Sequence, residues 1–179
     1  MNSAQSPHIP APGQKPGWKD IAWLASYCAR GLWELVRART IFARLPAKAI
    51  PERNRASKNA ADPQTTITPA ALARITYVLP RLSDRLPWRS DCLVQAIAGQ
   101  DWLSALGSAS EIQIGVEHPK DGDFGAHAWL LYNDRDHGEH IVTGGDIDQY
   151  HLILSDSGLA DSRLDRESQD QNVSESGET

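Results

Sequence analysis

Residues 107–133 read GSASEIQIGVEHPKDGDFGAHAWLLYN, and the hydrophobic pattern of this stretch determines the fold class. In EIQIGVE, Ile112, Ile114 and Val116 fall on alternate positions, which is typical of a strand with one buried face. AHAWLLYN is a second apolar run of strand length, and HIVTGG at 140–145 is a third. With a rather long turn around NDRDHGE, these runs predict an antiparallel meander of three strands.

Helical patterns precede these strands. Thr68 followed by Pro69 is a helix start signal, and apolar residues follow at helical spacing up to Pro80, which we expect to kink or end the helix. Another helix is predicted from Cys92 to Gly107, since glycine commonly follows a helix C-terminus. Because helices and strands are segregated rather than alternating, the sequence predicts an α+β fold, with N-terminal helices followed by an antiparallel sheet.

The rest of the chain divides by composition. Residues 1–17 and 156–179 lack apolar periodicity and are predicted to be disordered. Residues 18–65 are predicted to be a helical segment followed by a polar linker at 52–66, and the main domain is placed at 66–155. The helical segment has one apolar stripe at spacings of three and four, on which Cys28 counts as a small buried hydrophobe; its members are Ile21, Leu24, Cys28, Leu32 and Leu35.

Charge is unevenly distributed along the chain. The net charge is −5, and the tail at 156–179, with seven acidic residues and two arginines, accounts for a balance of −5. Residues 18–58 carry nine Lys/Arg and three acidic residues, a balance of +6. This basic segment is interpreted as a solvated helix face or as a surface for an acidic partner. We predict no nucleic-acid partner.

The N-terminus does not have the pattern of a secretory signal, because no basic region precedes an apolar one. The most apolar stretch, IAWLASYCARGLW, is interrupted by Arg30 and is shorter than the roughly 20 residues that span a bilayer. Neither of the two cysteines belongs to a CxxC pair, so free thiols are expected. We therefore predict a cytoplasmic protein with no transmembrane segment.

Cys92 and His127 are the candidate catalytic residues. Cys92 lies at a predicted helix start, where backbone N–H groups and the helix dipole stabilise a thiolate and make it a usable nucleophile. His127 begins a strand about 35 residues later, and a cysteine on a helix facing a histidine on a sheet can form a catalytic pair. Taken alone, each residue is more often structural, a buried thiol and a packing histidine respectively.

A third catalytic residue, an acid that orients the imidazole, is expected on the neighbouring strand. Asp146 is the first candidate, with Asp148 second. His137 and His140, together with His127, raise the alternative of a zinc site. Their position in a predicted turn without a fourth ligand at standard spacing favours solvated residues, so no metal site is predicted.

Three segments resemble the leader-peptidase (B protein) family of lasso-peptide biosynthesis: PWRSDCLVQAIAGQDWL at 87–103, EIQIGVE at 111–117 and FGAHAWLLYN at 124–133. The resemblance covers roughly residues 66–154 and implies a transglutaminase-like, papain-like cysteine protease core. It assigns the nucleophile to Cys92 and the histidine to His127. The family's acid lies about a dozen residues past the histidine, which falls on Glu139 here, and a longer turn would move it to Asp146.

The resemblance also implies a function. Family members remove the leader from a ribosomally synthesised precursor peptide, and a lasso cyclase then closes the ring. Only about 65 residues precede the main domain and no winged-helix pattern is evident, so a separate leader-recognition protein is implied. No cofactor is expected in the catalytic domain, and ATP dependence stays open. The alternatives are an acyl-transfer enzyme of the transglutaminase-like superfamily and a non-catalytic scaffold that presents the precursor.

Overall fold

The computed structural model describes residues 18–46, 49–87, 91–117, 125–134, 138–148, 150–155 and 158–159. Within these ranges the helices precede the strands, and the predicted α+β class is confirmed. The helices are α1 (Trp18–Phe42), α2 (Ile50–Ala60), α3 (Pro69–Ser83) and α4 (Cys92–Ala105). The strands are β1 (Glu111–Glu117), β2 (Gly125–Asp134), β3 (Gly138–Thr143), β4 (His151–Ser155) and β5 (Gly158–Leu159).

The strands form one antiparallel sheet in the order β3-β2-β1-β4-β5. The first three form the predicted meander, in a register that places Gly115 of β1 opposite His127 of β2. Sequence analysis predicts neither β4, which pairs with the other edge of β1, nor β5, which pairs with β4. β5 corrects the prediction of disorder from residue 156 onward, since its two residues are ordered by pairing with β4. Residues 1–17 and 160–179 lie outside the described residues.

α3 begins as predicted, because the Thr68 hydroxyl accepts a hydrogen bond from the Ala71 N–H at 3.3 Å. The expectation that Pro80 kinks or ends the helix is wrong in one respect, since α3 continues through Pro80 to Ser83. A proline in the last turn still removes one helical hydrogen bond and crowds the carbonyl four residues earlier. Leu79 and Ser83 are both buried there, so packing on the core keeps the last turn helical.

α4 packs directly on the sheet through β2. A Cβ built on Gly99 would lie 2.6 Å from Cδ2 of Leu130, so a larger residue here would have to displace this completely buried side chain. The side chains of Val94, Ile97 and Leu103 are completely buried, because α1 covers the side of α4 that faces away from the sheet. Gly107 follows the helix with φ of 83°, which confirms the predicted stop.

α1 packs on α3 and α4, but not through all of the predicted stripe. Leu35 is completely buried, whereas Ile21 is 55% exposed and Leu32 is 42% exposed. The prediction that the stripe is buried is therefore wrong at Ile21 and Leu32. The buried face includes Gly31 and Glu34, which are small or charged and therefore escape a search for apolar periodicity. Cys28 is half-buried, and burial raises the pKa of its thiol, while the charge of Arg85 lowers it to a smaller extent.

α2 replaces the predicted linker over residues 52–60, which is a correction to the sequence analysis. Its contact with the sheet is polar. The buried Asn54 amide donates to the Ile112 carbonyl and accepts from the Ile112 N–H, both at 2.9 Å, and it also accepts from Gln100 Nε2 at 3.0 Å. A helix that is held by hydrogen bonds from buried amides needs few apolar residues. The sequence of α2 therefore has the composition of a linker.

No helix among the residues described has both the length and the apolar character required to cross a membrane.

Glu34 is a buried carboxylate where α1 meets α4. Arg30 lies 2.6 Å away and Arg37 3.8 Å away, and Asp101 of α4 forms ion pairs with Arg37 and Arg53 beside it. Burial raises the pKa of Glu34, Arg30 lowers it, and the negative charge of Asp101 raises it further. The net direction is upward, so the ionised form is less favourable in the folded protein than in the unfolded chain.

We predict that Glu34→Gln is at least as stable as the unmodified protein at pH 8. A carboxyl group whose pKa is raised in the folded state stabilises the fold at pH values below its pKa in the unfolded chain. This contribution is lost as the pH rises through the pKa of the folded state. A glutamine does not ionise and therefore avoids the loss. The advantage should therefore shrink on acidification to pH 4. Thermal melts across this range measure it, since ~1 kcal/mol shifts the melting temperature by about 2–4 °C in a domain of this size.

Glu139→Gln, at an exposed position of β3, is the matched control, and its melting temperature should follow that of the unmodified protein. A Glu34→Gln protein that melts well below both at pH 8 would show that the ion pair with Arg30 outweighs the burial of the carboxylate.

Candidate active site

The thiol of Cys92 lies where α4 meets the middle of the sheet. Asp91 is the N-cap residue, so Cys92 is the first residue of the helix, as the sequence predicts. Its Sγ accepts a hydrogen bond from the backbone N–H of Ala128 on β2 at 3.3 Å. β3 pairs with β2 only as far as Leu130 and Thr143, which leaves the Ala128 N–H free of β3 and open to the sulfur. The thiol therefore faces the peptide bond between His127 and Ala128.

The imidazole of His127 is held by a backbone carbonyl. Its Nε2 lies 2.7 Å from the Gly144 oxygen. A carbonyl oxygen only accepts hydrogen bonds, so Nε2 carries the proton that it donates. In the neutral ring Nδ1 is then free of a proton and is the nitrogen able to take one from a thiol. Gly144 thus fixes the tautomer that a general base needs.

Gly144 can occupy this position only because it has no side chain. It follows β3 with φ of 112°, and a Cβ built on it would lie 2.4 Å from Cβ of Trp129. The backbone therefore passes directly over Trp129, and its carbonyl reaches the histidine two residues earlier on the same strand. Sequence analysis does not assign a role to Gly144, since the group that acts is a backbone oxygen.

Two aromatic residues pack around the histidine. Tyr150 stacks on the imidazole with centroids 4.7 Å apart, and Trp129 lies 6.3 Å from the imidazole and 6.5 Å from Tyr150, so the three rings pack against one another. The Trp129 indole N–H donates to Gln113 Oε1 at 3.0 Å, which fixes that ring against β1. Sequence analysis misses Tyr150, whose position beside the site depends on the unpredicted pairing of β4 with β1.

The candidate acids lie at different distances from His127. Asp146 is exposed two residues after Gly144, and its Oδ1 accepts from the Asp148 N–H at 3.1 Å, within a local turn. Glu139 pairs with Asn133, six positions along β2 from the histidine and thus about 20 Å away at 3.4 Å per residue. This excludes Glu139 as the orienting acid. The role of Asp146, with Asp148 as its alternative, stays a prediction.

Within the described ranges, the hydrogen bonds of the Cys92 thiol and the His127 imidazole run to the backbone rather than to each other. Catalytic hydrogen bonds are often long or absent without substrate and tighten when it binds. A thiol at a helix N-terminus and an imidazole with a free Nδ1 on the adjoining strand together provide the groups needed for nucleophilic attack on a carbonyl carbon.

The described residues contain no group of three His, Cys, Asp or Glu side chains placed to hold a metal ion. His140 lies in β3 rather than in a turn, and His137 is outside the described residues.

A family model described as the transglutaminase-like superfamily matches residues 32–155. This range contains Cys92, His127 and all of the elements that position them, and it begins within α1. No curated protein and no solved structure matches the chain.

We predict that Gly144→Ala displaces His127. The new Cβ has no room against Trp129, and an overpacked position of this kind typically loses about 1–3 kcal/mol of stability. Nitrogen-15 NMR of the imidazole should lose the signature of a protonated, hydrogen-bonded Nε2, and the melting temperature should fall.

Gly145→Ala is the matched control. Gly145 also has positive φ, 65°, but a Cβ there meets nothing within 4 Å. The imidazole spectrum should be retained in this variant. Unchanged spectra in both variants would contradict the assignment of the Gly144 carbonyl as the group that orients His127.

Proposed function

The chain belongs to the transglutaminase-like superfamily, and on that premise we propose that it is a cysteine endopeptidase acting on a peptide substrate. Members of this superfamily are generally cysteine-dependent enzymes. The observation that carries the proposal is the position of the Cys92 thiol, which lies at the N-terminus of α4 and 3.3 Å from the backbone N–H that follows His127.

The reaction proceeds in two stages. His127 Nδ1 takes the proton from Cys92, and the thiolate attacks the scissile carbonyl carbon. Backbone N–H groups at the start of α4, including that of Cys92, face the oxyanion. The imidazolium then gives its proton to the departing amine as the C–N bond breaks, leaving a thioester. Water, deprotonated by the same nitrogen, hydrolyses the thioester and releases a carboxylic acid and the thiol.

The substrate that we propose is the leader segment of a ribosomally synthesised precursor, as in lasso-peptide biosynthesis. This part of the proposal rests on the resemblance of three segments, around Cys92, in β1 and around His127, to the leader-peptidase family. The same resemblance implies three partners: the precursor peptide, a separate leader-recognition protein and a lasso cyclase. The setting would be the cytoplasm, where precursors are made.

Acyl transfer is the second candidate, and the family match itself supports it. Both reactions share the thioester on Cys92 and differ only in whether water or an amine resolves it. Incubating the protein with the precursor encoded beside its gene, with the recognition protein present, distinguishes them by mass spectrometry. A peptidase yields a leader ending in a carboxylic acid, whereas a transferase yields a leader joined to an added amine. A scaffold yields neither product.

We predict that Cys92→Ala abolishes cleavage while leaving the melting temperature nearly unchanged. Removing the nucleophile of a catalytic pair typically lowers turnover by about 10⁶-fold, and only one side-chain atom is lost. Iodoacetamide should also label Cys92 faster than Cys28, because burial raises the pKa of the Cys28 thiol.

Cys28→Ala is the matched control, and it should keep both the cleavage activity and the fast labelling. Equal labelling of the two cysteines in the native protein would argue against an activated thiolate at Cys92.

We predict that Asp146→Asn lowers turnover by up to about 10⁴-fold, the loss known for an orienting acid, while leaving substrate binding and folding intact. For this role the carboxylate must turn from the Asp148 N–H and accept the hydrogen bond from His127 Nε2 that the Gly144 carbonyl accepts in this structure. Steady-state kinetics of Asp146→Asn, with Asp148→Asn as the parallel variant, provide the measurement.

A large effect in Asp148→Asn alone would transfer the role to that residue. If neither variant slows turnover, the Gly144 carbonyl is sufficient to orient His127, and the catalytic machinery is a dyad.

A further inference from the structure

A groove of about 580 Å³ lies between α3 and the β3 edge of the sheet. Its helical wall extends from Pro69, the first residue of α3, to Arg81 in the last turn, about 18 Å at 1.5 Å per residue. The sheet supplies Asp134 at the end of β2 and His140 and Ile141 of β3. The volume is within the usual range of ligand sites, about 300–1,000 Å³.

The groove leads towards the candidate active site along both walls. β3 ends at Thr143, and the next residue is Gly144, whose carbonyl holds His127. Ile141 pairs with Leu131, four positions along β2 from His127, which places the near end of the groove about 14 Å along the strand from the histidine. α3 ends at Ser83, and the chain then continues to Cys92 at the start of α4.

The walls of the groove favour apolar side chains. Leu72, Ala73 and Tyr77 line the helical side, and Ile141, which is 38% exposed, lines the sheet side. The Arg81 guanidinium lies over the Tyr77 ring at 3.9 Å and donates to the Tyr77 carbonyl, so it is folded back on its own helix. Apolar surface that stays open on a folded domain commonly marks an interaction site.

The edge of the sheet supplies the second element of recognition. β3 is the outermost strand of the described sheet, so one of its sides has no strand neighbour there. An extended peptide can add to such an edge through main-chain hydrogen bonds, and its alternate side chains then enter pockets beside the strand. A groove next to an open strand edge thus fits an extended chain better than a compact ligand.

We propose that this groove binds the substrate peptide, in extended conformation along β3, with apolar side chains at alternate positions seated against α3. This rests on the proposed peptidase function, and it makes the groove the specificity site. Since an extended chain advances about 3.3 Å per residue, the seated side chains lie about four or more residues from the scissile bond.

The test measures binding separately from cleavage. Full-length Cys92→Ala protein is applied to an array of randomised decapeptides, each about 33 Å long when extended and so able to span the groove. We expect the bound peptides to be enriched in Leu, Ile, Val or Phe at alternate positions. Hydrogen exchange with one bound peptide should show protection of β3 amides.

Two variants in the Cys92→Ala background locate the binding site. Ala73→Trp fills the groove, and Ile141→Lys places a charge on the exposed sheet wall; each should weaken binding at least tenfold. The control is Ala56→Trp, at an exposed position of α2, which should bind as the parent does. Melting temperatures show whether each variant is folded, and Ile141→Lys keeps the test valid where Ala73→Trp does not fold.

The outcomes separate the two proposals. If peptides bind in the groove but are not cleaved by the protein with Cys92 intact, the groove proposal is supported and the peptidase proposal is wrong. If cleavage is insensitive to Ala73→Trp and Ile141→Lys, the peptidase proposal is supported and the groove proposal is wrong. An array without bound peptides, enrichment without alternation, or protection away from β3 also overturns the groove.

Discussion

The close packing of α4 on β2 determines where the candidate nucleophile of this protein lies. Because Gly99 has no side chain, the helix lies against Leu130, and its first residue is carried to the level of Ala128 on the strand. A larger residue at this contact would have to displace either the buried Leu130 side chain or the helix that carries Cys92. The position of the candidate nucleophile is therefore coupled to core packing several residues away.

Backbone groups hold both candidate catalytic side chains. The thiol receives an N–H from Ala128, and the imidazole gives its N–H to the carbonyl of Gly144. Both groups are available because β3 separates from β2 just after Thr143, which exposes one edge of β2 at the level of the site. The end of one strand thus creates both the space for the thiol and the acceptor for the histidine.

The parts of the fold that could be predicted from sequence are those that local patterns dictate. The cap at Thr68, the stop at Gly107 and the alternation in β1 each reflect a preference of a few adjacent residues, and each prediction is confirmed. Cys92 and His127 could be selected because their side chains have recognisable chemistry.

The parts that could not be predicted depend on contacts between distant segments. α2 is held by the Asn54 amide, whose partners are contributed by β1 and α4, so its own sequence has no hydrophobic pattern. Tyr150 reaches the histidine only because β4 pairs with β1, and the Gly144 carbonyl has no sequence signal beyond the glycine itself. Sequence analysis therefore finds reactive side chains better than the groups that position them.

The proposed groove and the candidate site are joined by the same short turn. Residues that would select a substrate lie along α3 and β3, while the reacting groups lie on α4 and β2, and Gly144 is the first residue past the end of β3. A peptide paired with β3 would extend past Thr143 towards the end of the sheet at which the thiol lies. In this arrangement, selection of the substrate and attack on its carbonyl would be separate tasks, performed by different elements of the fold.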